Sequence, residues 1–143
     1  MKGYHDVNEY PEAITVPGVL VYQFNADLVF YNADRFKQRA RAVVAEADTP
    51  VQWLVLGAGS MNYVDVTAIQ KVEELAEELA ARGVRTVVVN LKRHVLRPFE
   101  REWARERLER GATDVFPTIK TAIKAFEQSE QQPTGADSGI TNS

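Results

Sequence analysis

The sequence predicts a single α/β domain with a mostly parallel sheet of four to five strands and about four helices. The chain has 143 residues, the length of one ordinary domain. Short runs of β-branched and aromatic residues alternate with amphipathic stretches of several helical turns, a pattern typical of parallel sheets. Three consecutive valines at residues 87–89 predict a strand that is buried on both faces.

The first elements follow a polar N-terminal segment, residues 1–15. Residues 19–24 are rich in β-branched and aromatic side chains and predict a strand. Residues 28–31 are expected to form a second extended piece. Asn32 is the expected N-cap of a first helix over residues 33–47, because apolar side chains recur there at helical spacing.

The middle of the chain predicts a strand, a turn, a helix and a further strand. Residues 51–56 predict the strand, and the Gly-Ala-Gly-Ser run at 57–60 predicts a turn, because it matches neither nucleotide-binding glycine motif. The helix is expected to begin after Asp65 and to end at Gly83, and residues 84–90 predict the next strand. Four glutamates are expected on the solvated face of this helix: Glu73, Glu74, Glu77 and Glu78.

The C-terminal third of the chain begins with a basic stretch. Residues 92–110 contain seven of the 17 basic residues and predict a helix with one apolar side. Pro98 is expected either in the first turn of this helix or at a kink. A short strand at residues 115–116 and a last helix capped by Thr118 complete the predicted domain.

Composition and charge limit the classes of protein to which the chain can belong. The net charge of −3 argues against general nucleic-acid binding. The absence of Cys excludes disulfide scaffolds and thiol catalysis, and His5 and His94 alone cannot form a zinc site. No apolar run approaches the roughly 20 residues of a membrane span, and no signal peptide is expected. The polar composition of residues 129–143 predicts a disordered tail, which leaves residues 16–128 as the domain.

The stretch that leads into the second predicted helix carries the residues best suited to binding an anion. A helix N-terminus collects unpaired backbone N–H groups and the positive end of the helix dipole, so it can hold an anion or a phosphorylated hydroxyl. Asp65 supplies a carboxylate there and Thr67 a hydroxyl. A purely structural interpretation remains open, with Asp65 as the N-cap and Thr67 as an ordinary first-turn residue.

Two motifs resemble the STAS domain family. Residues 16–33 read Val-Pro-Gly-Val-Leu-Val-Tyr-Gln-Phe-Asn-Ala-Asp-Leu-Val-Phe-Tyr-Asn-Ala. This run resembles the start of the C-terminal STAS domain of SulP-type sulfate/anion permeases, where Pro-Gly and an aliphatic strand precede Phe-Asp-Ala-Pro-Leu, an aromatic pair and Asn-Ala. Residues 64–68, Val-Asp-Val-Thr-Ala, are similar to the aliphatic-Asp-x-Ser/Thr-Gly motif of the family. The resemblance extends over residues 16–90, and Phe-Pro-Thr at 116–118 also fits it.

This resemblance implies a non-enzymatic regulatory and interaction domain at the cytoplasmic face of the cell membrane, without catalytic or metal-binding residues. Its implied partners are the membrane domain of its own transporter and a soluble protein, with no nucleic acid. It also implies GTP, GDP or ATP as a regulatory ligand rather than a required cofactor. Six residues are candidates for binding this nucleotide or an anion: Asp65, Val66, Thr67, Ala68, Lys92 and Arg93.

The alternative function is a freestanding switch similar to the anti-sigma-factor antagonists, in which the Ser/Thr of the motif is phosphorylated. In this chain the phosphorylated residue would be Thr67. The permease-like residues 16–33 favour the transporter domain, because they are the more specific of the two motifs. Ala68 favours it too, because it stands where the family usually has Gly.

The predicted basic helix offers a second candidate surface. Its seven cations and four carboxylates include pairs four residues apart, which is typical of a solvated face with ion pairs along the helix. The alternative is a surface for anionic lipid headgroups or an acidic partner, on which we expect Arg97, Arg101 and Arg105.

Overall fold

Parallel strands form the centre of the fold, as the sequence predicts. The computed structural model describes residues 9–11, 16–107 and 111–131. The strands are β1 (Glu9–Pro11), β2 (Val19–Phe24), β3 (Trp53–Gly57), β4 (Arg85–Val89) and β5 (Asp114–Phe116). The helices are α1 (Phe30–Ala45), α2 (Val66–Ala80), α3 (Arg93–Arg105) and α4 (Ile119–Gln131). The sheet order is β1-β2-β3-β4-β5, with β2 to β5 parallel and β1 antiparallel to β2, which confirms the predicted fold class.

Helices cover both faces of the sheet. Side chains of α1, α2 and α3 pack against one face, and α4 packs against the other. Val88 faces the three-helix side, whereas Val87 and Val89 face α4, and all three are buried. The Trp53 and Phe126 rings meet edge to face at 5.4 Å on the α4 side. The prediction of a strand buried on both faces is therefore confirmed for β4.

The start of α1 differs from the prediction. Residues 28–31 are not a strand, since Leu28 forms a single bridge with Val64 and the helix begins at Phe30. Asn32 is not the N-cap but the third helical residue, and its Oδ1 accepts the backbone N–H of the true N-cap, Val29, at 2.9 Å. Two hydrogen bonds allow the helix to begin earlier in the chain than predicted. The Asn32 side chain accepts the backbone N–H of Val29, and the Asp65 side chain accepts the backbone N–H of Phe30.

α2 begins and ends near the predicted residues. Asp65 is its N-cap, and Gly83 follows its last turn with a φ of 82°, a conformation that glycine adopts readily. The prediction for the four glutamates is wrong at one position. Glu73 is buried, because it lies on the side of α2 that meets α3, whereas Glu74 and the two later glutamates are exposed.

The last two helices differ in length from the prediction. α3 ends at Arg105 instead of continuing through residue 110, and residues 108–110 lie outside the described part of the chain. Pro98 is inside α3 and beyond its first turn. Thr118 precedes α4 as predicted, and its Oγ1 accepts the N–H of Thr121 at 3.1 Å. α4 runs to Gln131, past residue 128, where we placed the end of the domain.

None of the helices that the structure describes combines the length and the apolar composition that crossing a membrane requires.

Candidate functional site

Three helices begin at the carboxyl edge of the sheet. α1 follows β2, α2 follows β3 and α3 follows β4, so the parallel strands bring the three helix starts to the edge at which α/β folds bind ligands. A groove of about 600 Å³ lies between the start of α2 and α3. We call it the Thr67 groove. Its lining includes Phe30, Tyr63, Val66, Thr67, Arg101 and Arg105.

Asp65 fixes the geometry at this edge. Its Oδ1 accepts the backbone N–H of Ala68 and its Oδ2 accepts the backbone N–H of Phe30, each at 2.9 Å. Both carboxylate oxygens are therefore engaged in holding helix starts. The Ala68 side chain is fully buried and its amide is already paired, so Ala68 offers no free group to the groove.

The loop before α2 is held by a second aspartate. Asp27 Oδ1 accepts the backbone N–H groups of Asn62 and Tyr63, at 2.7 and 3.1 Å. These bonds fix the loop, and Tyr63 is left with its ring exposed at the mouth of the groove. Val66 and Thr67, the first two residues of α2, are also exposed and line the groove.

The structure brings Arg101 and Arg105 together with Thr67, although they were predicted to belong to a separate surface. Arg105 pairs with Glu102, with Nη2 and Oε2 at 3.0 Å. Hydrogen bonds from Arg105 and Gln70 hold the pKa of Glu102 below its ordinary value, so this nearly buried carboxylate stays charged. Arg101 has no ion pair within the described part of the chain, so its guanidinium is available to an anion in the groove.

Lys92 and Arg93 lie at the start of α3, away from the lining of the groove. Lys92 Nζ donates to Oδ1 of Asn62 at 2.7 Å, and His94 Nε2 lies 2.9 Å from the carbonyl oxygen of the same residue. The structure thus places Lys92 and His94 against the loop, and it does not bring Lys92 or Arg93 into the groove with residues 65–67. Arg97, the third predicted surface arginine, is exposed on the outer side of α3.

An exposed apolar cluster that the predicted elements do not indicate lies at the groove. Phe30, Tyr31, Tyr63 and Val66 are 66%, 79%, 57% and 48% exposed. The rings of Phe30 and Tyr31 are in edge-to-face contact, with centroids 5.4 Å apart. The signal was present in the sequence, because an aromatic pair placed on α1 falls outside its apolar stripe. Assigning residues 28–31 to a strand concealed it.

The described residues contain no group of three or more His, Cys, Asp or Glu side chains arranged to hold a metal ion. The acidic side chains at the groove are already paired, Asp65 with two backbone N–H groups and Glu102 with Arg105. The groups that remain free to contact a ligand in the groove are the Thr67 hydroxyl, the rings of Phe30 and Tyr63, and the guanidinium of Arg101. This set suits the binding of an anion or a flat ring.

Comparison with known proteins identifies the family. Residues 10–122 match the STAS domain family. The chain is 35% identical over 128 residues to a protein named "Probable sulfate transporter" in Mycobacterium tuberculosis, and the match covers 90% of this chain and 22% of the transporter. The chain thus spans about a fifth of the length of this relative.

Two solved structures share the fold. A sulfate transporter family protein of Wolinella succinogenes has a TM-score of 0.65 at 22% identity, covering 83% of this chain and 93% of that one. The phosphorylated form of SpoIIAA, a Bacillus cell fate determinant and anti-sigma factor antagonist, has a TM-score of 0.55 at 14% identity, covering 82% and 98%. The family match and the shared fold confirm the resemblance seen in the sequence, and the chain belongs to the STAS domain family.

Proposed function

We propose that this STAS domain is a non-enzymatic regulatory and interaction domain of a SulP-type sulfate or anion transporter, at the cytoplasmic face of the cell membrane. The observation that carries the proposal is the 35% identity to a sulfate transporter over 90% of this chain. Because the match covers only 22% of that transporter, the membrane domain that moves the anion would lie outside this chain and would be its first partner.

Uptake of labelled sulfate by the transporter that carries this domain tests the proposal. Deleting residues 16–131 is expected to change the rate of uptake while the membrane domain stays inserted. Unchanged uptake at equal amounts of protein in the membrane would contradict a regulatory role. A binding measurement between the chain and the solubilised membrane domain then separates a direct contact from an effect through a soluble protein partner.

The proposal includes a regulatory nucleotide, GTP, GDP or ATP, in the Thr67 groove. The exposed ring of Tyr63 offers a surface for stacking a base, and Arg101 and Arg105 offer charge for the phosphates. We assign this role to Arg101 and Arg105 instead of Lys92 and Arg93, because only the first two line the groove. The groove volume of about 600 Å³ is within the range of small-molecule sites.

Backbone amide NMR of the whole chain tests the nucleotide directly. A saturable shift clustered on residues 63–67 and around Arg101 is expected as GTP, GDP or ATP is added. The Arg101→Ala variant should weaken this binding, whereas Lys120→Ala on α4 should not. Spectra that do not change with any of the three nucleotides would remove the nucleotide from the proposal and leave Asp65 as a capping residue.

The alternative function, a switch phosphorylated on Thr67, has one structural observation in its favour. The side chain of Thr67 is exposed and shares the groove with Arg101 and Arg105, and a phosphate placed there would meet two guanidinium groups. Incubation with a cognate kinase would then add one phosphate and abolish binding to a protein partner. If Thr67→Ala changed neither phosphorylation nor partner binding, the switch would be excluded.

A further inference from the structure

The exposed side of α3 carries positive charge, and at the groove this charge meets exposed aromatic rings. Four arginines of α3 recur every four residues and are exposed: Arg93, Arg97, Arg101 and Arg105. Successive members of such a series lie on neighbouring positions of one helix side. Their side is opposite the buried one, from which Val95 and Phe99 pack into the core.

The charge of this surface is largely unneutralised. Within the described part of the chain, no ion pair involves Arg93, Arg97 or Arg101. Arg105 is the exception, since it pairs with Glu102 and Glu106. The chain as a whole has a net charge of −3, so three exposed arginines without an ion pair to any described residue make this side locally positive on an acidic chain.

Exposed apolar side chains adjoin the arginines. Phe30, Tyr63 and Val66 line the groove together with Arg101 and Arg105, and Tyr31 contacts Phe30. These four are the large apolar side chains that the described residues leave most exposed. An apolar cluster of this kind, bordered by charge, marks an interaction site. We call the four arginines and these four residues the arginine–aromatic face.

We propose that the arginine–aromatic face docks on the anionic headgroups of a lipid bilayer, with the aromatic rings at the level of the headgroups. The inference rests on the proposed function, because a domain joined to a transporter would lie beside a membrane. Arginine gains from the negative surface potential of the cytoplasmic leaflet, and tyrosine is enriched at membrane–water interfaces.

The extent of the face favours a bilayer over a single small anion. At 1.5 Å per residue, the α-carbons of Arg93 and Arg105 are roughly 18 Å apart along the helix. A nucleotide in the groove would use Arg101 and Arg105 and would leave Arg93 and Arg97 without a partner. A bilayer presents several headgroups at once and engages all four. The negative remainder of the domain would be repelled from the same membrane, which would fix its orientation.

Vesicle co-sedimentation of the complete chain tests the proposal. The vesicles contain either phosphatidylcholine alone or phosphatidylcholine with about 30% phosphatidylserine, and we expect binding only to the anionic ones. Each arginine near such a surface strengthens binding roughly fivefold, so reversing two charges in Arg97→Glu/Arg101→Glu should weaken binding by at least about 20-fold. The matched control is Lys120→Glu/Lys124→Glu on α4, with the same charge change at exposed positions on the other side of the sheet.

A second variant tests the aromatic part. Phe30→Ser/Tyr31→Ser leaves every charge in place and should reduce the binding that survives high salt. Circular dichroism confirms folding, which is expected to persist because all the substituted side chains are exposed.

The docking proposal is overturned if the chain does not bind anionic vesicles, or if the α4 control loses as much binding as Arg97→Glu/Arg101→Glu. Weaker sulfate uptake in the Arg97→Glu/Arg101→Glu transporter without vesicle binding would assign the face to a protein contact and also overturn it. Competition of vesicle binding by inorganic phosphate alone at equal ionic strength would assign the charge to a soluble anion. The proposed function has its own test: it fails if sulfate uptake does not depend on the domain.

Discussion

Asp65 and Phe30 lie 35 positions apart, yet Oδ2 of Asp65 accepts the backbone N–H of Phe30 at 2.9 Å. The other oxygen of the same carboxylate caps α2 through the N–H of Ala68. One side chain therefore joins the starts of α1 and α2, and it sets the position of the loop that carries Tyr63 and of the first turn that carries Thr67. The residue that the family motif marks is in the first place a structural one.

Replacing Asp65 should cost more than a single helix cap. Asp65→Ala removes the acceptor of two backbone N–H groups, and we expect a loss of about 2–3 kcal/mol in the free energy of unfolding, measured in urea. Asp65→Asn keeps one acceptor oxygen and should lose about half as much. Asp48→Ala, at an exposed loop position, is the control and should change stability by less than about 0.5 kcal/mol. If Asp65→Ala lowers the free energy of unfolding by no more than the loss of one helix cap does, the hydrogen bond to Phe30 contributes nothing.

Glu73 should be essential for joining α3 to the rest of the domain. Its Oε2 accepts Trp103 Nε1–H and its Oε1 accepts the backbone N–H of Ala112, each at 2.6 Å. Glu73→Leu would leave both donors, one buried and one half-buried, without this acceptor, at a cost of about 2–4 kcal/mol of stability. Tryptophan fluorescence in a urea titration measures it. Glu77→Leu, on the exposed side of the same helix, should have little effect, and equal losses in the two variants would contradict the assignment.

Two glycines with positive φ should respond differently to alanine. Gly83 has a φ of 82° with open space around it, so Gly83→Ala should cost only the backbone strain, about 1 kcal/mol. Gly111 has a φ of 69°, and a Cβ there would collide with the carboxylate of Glu73. Gly111→Ala should therefore destabilise the domain clearly more than Gly83→Ala in the same unfolding assay. Equal costs would mean that Glu73 moves aside without loss.

The interface between α1 and α2 should weaken in acid. Hydrogen bonds from Arg41 and Lys37 lower the pKa of Glu78 from 4.5 to about 2, and a hydrogen bond from Lys37 lowers the pKa of Glu74. Because these values are lower in the folded state, the stabilisation is complete above the ordinary pKa and is lost as the pH falls from about 5 towards 2. Chemical unfolding at several pH values measures this slope.

Glu78→Gln tests the source of that acid sensitivity. The variant should be less stable at neutral pH and should show a shallower loss of stability between pH 5 and 2, a window that follows from the lowered pKa. Glu77→Gln is the matched control on the same helix. An unchanged slope in Glu78→Gln would place the acid-sensitive groups elsewhere.

The sequence was sufficient for most of the elements, because hydrophobic periodicity and residue composition are local properties. The extended piece predicted at residues 28–31 was wrong, because the start of α1 depends on the distant Asp65. The β-branched residues of β2, the valines of β4 and the caps at Asp65 and Thr118 all predicted their observed elements. Glu73 was misplaced because its burial depends on an indole 30 positions away, which no local pattern reports.

The site was only partly predictable for the same reason. The motif and the helix start predict residues 65–67 as candidates, and these residues line the groove. Their cationic neighbours were assigned to Lys92 and Arg93, which follow β4 directly, whereas the groove is completed by Arg101 and Arg105 two and three turns further along α3. The packing of Phe99 and Trp103 decides which turn of α3 faces α2. This packing depends on tertiary contacts and not on a local sequence pattern.

The most direct test of the proposed function measures uptake of labelled sulfate by the transporter proposed to carry this domain, with the double substitution Tyr63→Ala/Arg101→Ala in the Thr67 groove. Both side chains are exposed, so the variant should fold and reach the membrane normally. We expect the groove variant to change uptake in the same direction and by a similar amount as deletion of the whole domain. Lys120→Ala/Lys124→Ala on α4 should leave uptake unchanged. Normal uptake in the groove variant, with uptake still dependent on the domain, would contradict the proposal that a regulatory nucleotide acts through the Thr67 groove.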